Sequence, residues 1–71
     1  MQSPAQFAAA AEVRLLCLEQ VRKRTGLGKT ATYELIARGL HPSPIKLGRA
    51  SRWVDREVDA WLERLVIQRG L

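Results

Sequence analysis

A glycine-marked junction between two predicted helices constrains this chain more than any other feature. Residues 19–24 and 29–38 each favour helix, and the four residues Thr25–Gly28 stand between them. Gly26 is suited to end the first helix in the left-handed conformation that other residues avoid, and Gly39 ends the second in the same way. Gly28 opens the second helix. The sequence therefore predicts a helix–turn–helix unit.

A hairpin and a further helix follow this pair. Ile45–Leu47 and Arg52–Val54 alternate as strands do, with Gly48–Ser51 as the predicted turn between them. Asp55 is expected to cap the last helix. Trp53 is expected in the core, and one stripe of the last helix is predicted to pack back over the helix pair through Val58, Trp61, Leu62, Leu65 and Val66.

The length of 71 residues allows one domain with one small core. The predicted fold class is mainly α with a small β-hairpin: a winged helix-turn-helix of short helix, reading helix, two-stranded wing and C-terminal packing helix. We assign it to residues 14–71, with Arg14–Leu18 as an extended strand edge. Residues 1–13 are expected to be a tail or a nascent helix, since a helix of that length is marginal alone.

The charge distribution indicates the kind of partner. The chain carries a net charge of +5, and residues 14–54 hold nine Lys or Arg against two Glu. Such an excess attracts a polyanion. A helix–turn–helix followed by a basic hairpin is also the layout of a small DNA-reading module, in which the second helix enters the major groove. A basic adaptor that binds an acidic protein is the alternative from another class.

Other classes of protein find little support in the sequence. Gly28-Lys29-Thr30 ends like a phosphate-binding P-loop, but position 23, where that loop needs a glycine, is Lys23. Cys17 is single, which excludes an intramolecular disulfide, and is expected to be a partly buried apolar residue. We expect no enzyme, no cofactor and no metal site. With neither a membrane span nor a signal peptide visible, we expect a cytoplasmic protein.

Six side chains are candidates for contacting DNA. Lys29 and Thr30 stand at the leading end of the second helix, where Lys29 can bond a guanine edge or only a phosphate, and Thr30 can contact a base edge or a thymine methyl. Tyr33 lies one turn later, where its hydroxyl can reach a phosphate or its ring can pack against the wing. Three more lie on the wing with no acidic residue to balance them: Lys46, Arg49 and Arg52. The basic run 22–24 is expected to face solvent, and His41 to be a loop residue.

Several strings of residues, taken together, match a known family pattern. They are Arg14-Leu15-Leu16, Glu19-Gln20-Val21, Thr25-Gly26-Leu27-Gly28-Lys29-Thr30-Ala31-Thr32-Tyr33-Glu34-Leu35-Ile36-Ala37-Arg38-Gly39, Pro44-Ile45-Lys46-Leu47-Gly48-Arg49, Arg52-Trp53 and Glu57-Val58-Asp59-Ala60-Trp61-Leu62. Over residues 14–66 the chain resembles the AlpA family of prophage regulators. Two positions depart from that pattern. Gly28 stands where serine is frequent, and Thr32 where a larger aliphatic residue is usual, so looser packing is expected there.

The resemblance implies a winged-helix fold, shared with excisionase-like proteins, and binding to double-stranded DNA. It implies first a sequence-specific transcriptional regulator of a prophage or other mobile element. Its second implication is an excisionase, a recombination directionality factor that bends attachment-site DNA. Further copies of the chain on adjacent sites, an integrase and RNA polymerase are the additional partners to consider, and no membrane is expected.

Overall fold

The computed structural model describes residues 13–69, which hold three helices and three strands. In chain order they are β1 (Leu15–Leu16), α1 (Leu18–Thr25), α2 (Lys29–Ala37), β2 (Ile45–Leu47), β3 (Ala50–Val54) and α3 (Asp55–Gln68). This order is that of the predicted winged helix-turn-helix. The expected tail or nascent helix lies outside the described residues, except for Val13.

The turn between α1 and α2 forms as its glycines predict. Gly26 has a φ of 78°, and its N–H donates to the carbonyl of Arg22 at 2.8 Å. Gly39 ends α2 with a φ of 72°, and the next N–H, that of Leu40, donates to the carbonyl of Leu35 at 2.8 Å. Both helices therefore stop on left-handed glycines that satisfy their last carbonyls.

The turn of the wing is shorter than the predicted turn. Leu47 pairs with Ala50, so only Gly48 and Arg49 connect β2 to β3. Gly48 has a φ of 63°, while no residue other than glycine has a positive φ in the described chain. A positive φ at the first of two turn residues is typical of a type II′ hairpin, whose twist matches that of its strands. The predicted four-residue turn was wrong because β3 begins at Ala50.

A third strand extends the wing into a sheet. The predicted extended edge forms β1, which pairs antiparallel with β3, and the strand order is β1-β3-β2. The N–H of Asp55 continues this pairing by donating to the carbonyl of Arg14 at 2.8 Å. The chain before α1 is therefore fixed to the end of the wing at the point where α3 begins.

The core lies on one face of this sheet. Its buried residues come from β1, α1, β3 and α3, and they are Leu16, Val21, Trp53 and Val58. Trp53 is fully buried, as predicted, and its indole N–H donates to the carbonyl of Pro42 at 3.0 Å. This bond satisfies the polar atom of the indole. It also fixes the α2–β2 loop.

The last helix differs from its prediction at both ends. Asp55 is the first helical residue rather than the cap, and Val54 takes the capping position without a side-chain bond. Of the predicted stripe, Val58 is buried and Leu62 packs against the core, but Leu65 and Val66 are exposed. The 14 residues of α3 span about 21 Å. The shorter α1 and α2 cannot cover that length, so the stripe extends past them.

The loop before the wing is more buried than predicted. His41 is a loop residue, but it is buried, and its ring lies 4.5 Å from that of Trp61. Its Nδ1 is 2.9 Å from the carbonyl oxygen of Pro42. Trp61, expected in the core, is only half-buried and packs on this loop instead. Cys17 is half-buried beside α1, as expected.

Candidate nucleic-acid interface

The leading end of α2 presents two of the candidate residues. Gly28 caps the helix without a side chain, and the first turn of α2 holds no acidic residue. Thr32, one turn in, is fully buried, and its hydroxyl donates to the carbonyl of Gly28 at 2.8 Å. The departure at Thr32 is thus accommodated with its hydroxyl satisfied. Lys29 and Thr30 are exposed at the same helix end.

Tyr33 connects this helix to the wing. Its ring meets that of Trp53 edge-on, with centroids 6.3 Å apart and planes at 62°. The side chain is nevertheless 39% exposed. Of the two roles expected for Tyr33, packing against the wing and contact with a phosphate, the packing is present. The polar tip of a tyrosine can serve a second contact while its ring packs.

The wing places its cations on two faces. Lys46 pairs with Ser51, and its ammonium donates to the Ser51 hydroxyl at 2.9 Å. Because alternate residues of a strand share a face, Ser51 and Lys46 lie on the Trp53 face, towards Tyr33. Arg52 lies on the opposite face, where its guanidinium donates to the backbone carbonyl of Ser51 at 2.8 Å.

Arg49 occupies the tip of the wing, in the two-residue turn, and is exposed. Five of the six candidates therefore lie on the α2 side of the sheet or at its tip: Lys29, Thr30, Tyr33, Lys46 and Arg49. We call these five residues the cationic face. The sixth candidate, Arg52, lies on the opposite face of the sheet.

The cations of this face have no acidic partners within residues 13–69. The ion pairs of that region join Arg22 to Glu19 at 2.8 Å, and Arg24 to Asp55 and Asp59, the latter at 2.9 Å. The paired acids, Glu19, Asp55 and Asp59, thus lie on α1 and α3, and Lys29, Lys46 and Arg49 form no ion pair within the described residues. Such a surface attracts an anionic ligand.

Arg24 is the residue that sequence reasoning missed. It was expected to face solvent, but its guanidinium bridges two carboxylates of α3. The hydrogen bond to Asp55 raises the pKa of Arg24 above its ordinary value, so it stays charged at any ordinary pH. The available signal was the spacing of Asp55 and Asp59, which stand four residues apart and so share one side of a helix.

A large cavity lies away from the cationic face. It is a groove of about 930 Å³ between the α2–β2 loop and α3, and its lining includes Leu40, His41, Trp61 and Leu65. Within residues 13–69 no three His, Cys, Asp or Glu side chains converge to hold a metal ion. None of the helices described is long and apolar enough to cross a bilayer.

Comparison with known proteins places this geometry in a family. The family described as "Prophage CP4-57 regulatory protein (AlpA)" matches residues 14–66. A protein of Saccharopolyspora erythraea named "Probable excisionase" is 38% identical over 56 residues, which cover 79% of this chain and 56% of that protein. The chain thus spans about half the length of this curated relative. No solved structure matches. The chain belongs to the AlpA family of prophage regulatory proteins.

Proposed function

We propose that this protein binds double-stranded DNA in a sequence-specific manner and regulates transcription of a prophage or other mobile element. The observation that carries the proposal is the cationic face, because its cations come from the leading end of a helix and from an adjacent wing. Membership of a family of prophage regulatory proteins supports the biological setting. A bacterial cytoplasm is the compartment that this function requires.

The first part of the mechanism concerns α2. Its leading end enters the major groove, where Lys29 bonds the acceptor edge of a guanine and Thr30 contacts a base edge or a thymine methyl. With only Gly28 as cap and no acid in its first turn, this helix end leaves backbone N–H groups for a phosphate oxygen. The burial of Thr32 holds the inner side of the helix against the core.

The second part of the mechanism concerns the wing. Arg49 at the tip and Lys46 on the α2 side contact phosphates of the flanking backbone, and the Tyr33 hydroxyl donates to another phosphate between them. These contacts fix the position of α2 in the groove without reading sequence. Arg52 faces away from α2, and it acts at longer range as one more positive charge near the duplex.

The second candidate function is that of an excisionase. The named relative favours it, since 79% of this chain aligns with a probable excisionase. In that role the same cationic face would hold a bent attachment site for an integrase. In the regulatory role, the nearby partner would be RNA polymerase. In either role, further copies on adjacent sites would add specificity that one small module lacks.

Selection of bound fragments from the source genome tests the proposal. A regulator enriches promoter fragments, and an excisionase enriches fragments at an attachment site, which a permuted-site gel then shows to be bent. A mobility-shift assay at physiological salt is the prior control. If the protein binds no duplex in this assay, the better-supported function is that of a basic adaptor whose ligand is an acidic protein.

A further inference from the structure

The hydroxyl group of Thr32 is enclosed at a position where a valine of nearly the same shape would pack. Thr32 is fully buried in the first half of α2, and its hydroxyl donates to the carbonyl of Gly28 at 2.8 Å. A buried hydroxyl costs free energy unless it is hydrogen-bonded, and the bond mainly offsets that cost. Burial alone therefore does not account for a threonine, and the bond to Gly28 is what distinguishes it from valine.

The carbonyl of Gly28 is held by two donors from the same residue. The backbone N–H of Thr32 donates to it at 3.0 Å, as the helix requires, and the Thr32 hydroxyl adds the second bond. The peptide plane that carries this oxygen also carries the nitrogen of Lys29, since a peptide bond is planar. Fixing the oxygen from two directions therefore fixes the plane from which Lys29 begins.

The cap of α2 supplies no side-chain restraint of its own. Gly28 takes the capping position without a side-chain hydrogen bond, at a φ of −78° and a ψ of 171° that any residue can adopt. A Cβ at this position would meet no atom within 4 Å. Neither conformation nor space thus requires glycine, which leaves the backbone more freedom than any other residue. Thr32 supplies from within the helix the restraint that a capping side chain would supply from outside.

The restraint is anchored in the protein interior. Thr32 has no exposed surface, whereas Lys29 and Thr30, the two residues proposed to read bases, are exposed at the same end of the helix. A side chain enclosed on all sides keeps its rotamer, since protein interiors are close-packed. The bond to Gly28 thus connects the fixed interior to the first turn of α2. Gly28 and Thr32 are also the two positions that depart from the AlpA pattern, and they are in direct contact.

We propose that Thr32 is a positioning residue for DNA recognition, which orients the first turn of α2 through the Gly28 carbonyl and so aims Lys29 and Thr30 at base edges. This role rests on the proposed function, because it assigns the reading of sequence to a residue that touches no DNA. A hydrogen bond to a base edge depends on distance and angle, whereas a phosphate contact carries no sequence information. Loss of the Thr32 hydroxyl should therefore reduce the preference for the selected site and leave binding to random DNA nearly unchanged.

Two substitutions separate the hydroxyl from the packing. Thr32→Val keeps the branched shape, and the Gly28 carbonyl keeps its backbone bond, so the urea midpoint should be unchanged or higher. Thr32→Ser keeps the hydroxyl but removes a buried methyl, so its midpoint should be lower. The order of stability is therefore opposite to the order expected for recognition, in which serine restores what valine loses. A merely structural role would make the two orders agree.

Backbone relaxation of the free protein tests the positioning without DNA. Amide-nitrogen order parameters of Lys29, Thr30 and Ala31 report how rigid the first turn of α2 is. They should fall in Thr32→Val and return in Thr32→Ser, while those of α1 stay unchanged in both variants. Unchanged order parameters of the first turn in Thr32→Val would overturn the proposal, whatever the protein binds.

Competition binding tests the consequence for recognition. Thr32→Val should lower the preference for the selected site over random DNA about fivefold, the lower end of the discrimination that one good base contact provides. Thr32→Ser should keep the preference. In a background that carries both Lys29→Ala and Thr30→Ala, Thr32→Val should lower it no further, as expected for residues that act together.

The binding data also separate the two proposals. An unchanged preference in Thr32→Val, or an equal loss in Thr32→Ser, would overturn the role of the hydroxyl while the unmodified protein still prefers its site. An unmodified protein with no preference for any duplex would contradict the proposed function, and the recognition role of Thr32 with it.

Discussion

Tyr33 of the reading helix meets Trp53 of the wing edge-on, at 6.3 Å between ring centroids. The contact joins the two parts of the cationic face through the most deeply buried aromatic residue of the core. Under the proposed function Tyr33 has two separable roles: its ring packs on Trp53, and its side chain, 39% exposed, offers its polar tip to a phosphate.

The two roles predict different effects for two substitutions. Tyr33→Phe should leave the free energy of unfolding within about 0.5 kcal/mol and weaken DNA binding about fivefold, through loss of one phosphate hydrogen bond. Tyr33→Ala should also lower stability, by about 0.5–1.5 kcal/mol for the aromatic pair. Urea unfolding and fluorescence anisotropy measure both. Equal affinities of Tyr33→Phe and the unmodified protein would remove the hydroxyl from the interface.

The Arg24 bridge should stabilise the fold rather than the complex. Arg24→Ala breaks both contacts to α3, at Asp55 and Asp59, and should cost about 0.5–1 kcal/mol in urea unfolding. Lys23→Ala, which removes the same charge from an exposed neighbour, is the control and should leave stability unchanged. If the two variants unfold at the same urea concentration, the bridge contributes nothing measurable.

The helix and the wing should affect recognition differently. Lys29→Ala and Thr30→Ala should lower the preference for the selected site over random DNA by about 1–3 kcal/mol, since each removes a base contact. Arg49→Ala should weaken binding to both DNAs alike, because a phosphate contact carries no sequence information. Competition binding with both duplexes measures the difference. Equal losses on both DNAs for the α2 variants would exclude that helix as the reader.

The two faces of the wing allow a matched comparison. Lys46→Ala and Arg52→Ala each remove one positive charge, from the α2 side of the sheet and from its opposite face respectively. Lys46→Ala should weaken DNA binding more and reduce the salt slope by about 1, as loss of one phosphate contact does. Arg52→Ala should have the smaller effect on both. The reverse order would place the duplex on the face of the sheet that carries Arg52.

Local signals explain why most of the fold was predictable. Gly26 and Gly39 mark helix ends because few other residues accept a positive φ, and the helical period of the last helix marks Val58 as buried. Lys29 and Thr30 were identified as candidate DNA contacts from their position at the leading end of α2. These features depend on residues a few positions apart, which a sequence displays directly.

The features that were missed depend on contacts between distant segments. Arg24 finds its carboxylates, those of Asp55 and Asp59, 31 and 35 residues away along the chain. The exposure of Leu65 depends on how far neighbouring helices extend, which periodicity does not report. The placement of Arg52 and Lys46 on opposite faces could not be predicted without the strand register, since a shift of one residue moves a side chain to the other face.

The salt dependence of duplex binding tests the central claim most directly. If the basic residues of 14–54, nine Lys or Arg against two Glu, neutralise about 4–6 phosphates, a plot of log K against log salt concentration should have a slope of about −4 to −5. The measurement needs only the unmodified protein and a duplex from the genomic selection. A slope in that range is the result that this account predicts, and a slope near zero would contradict it.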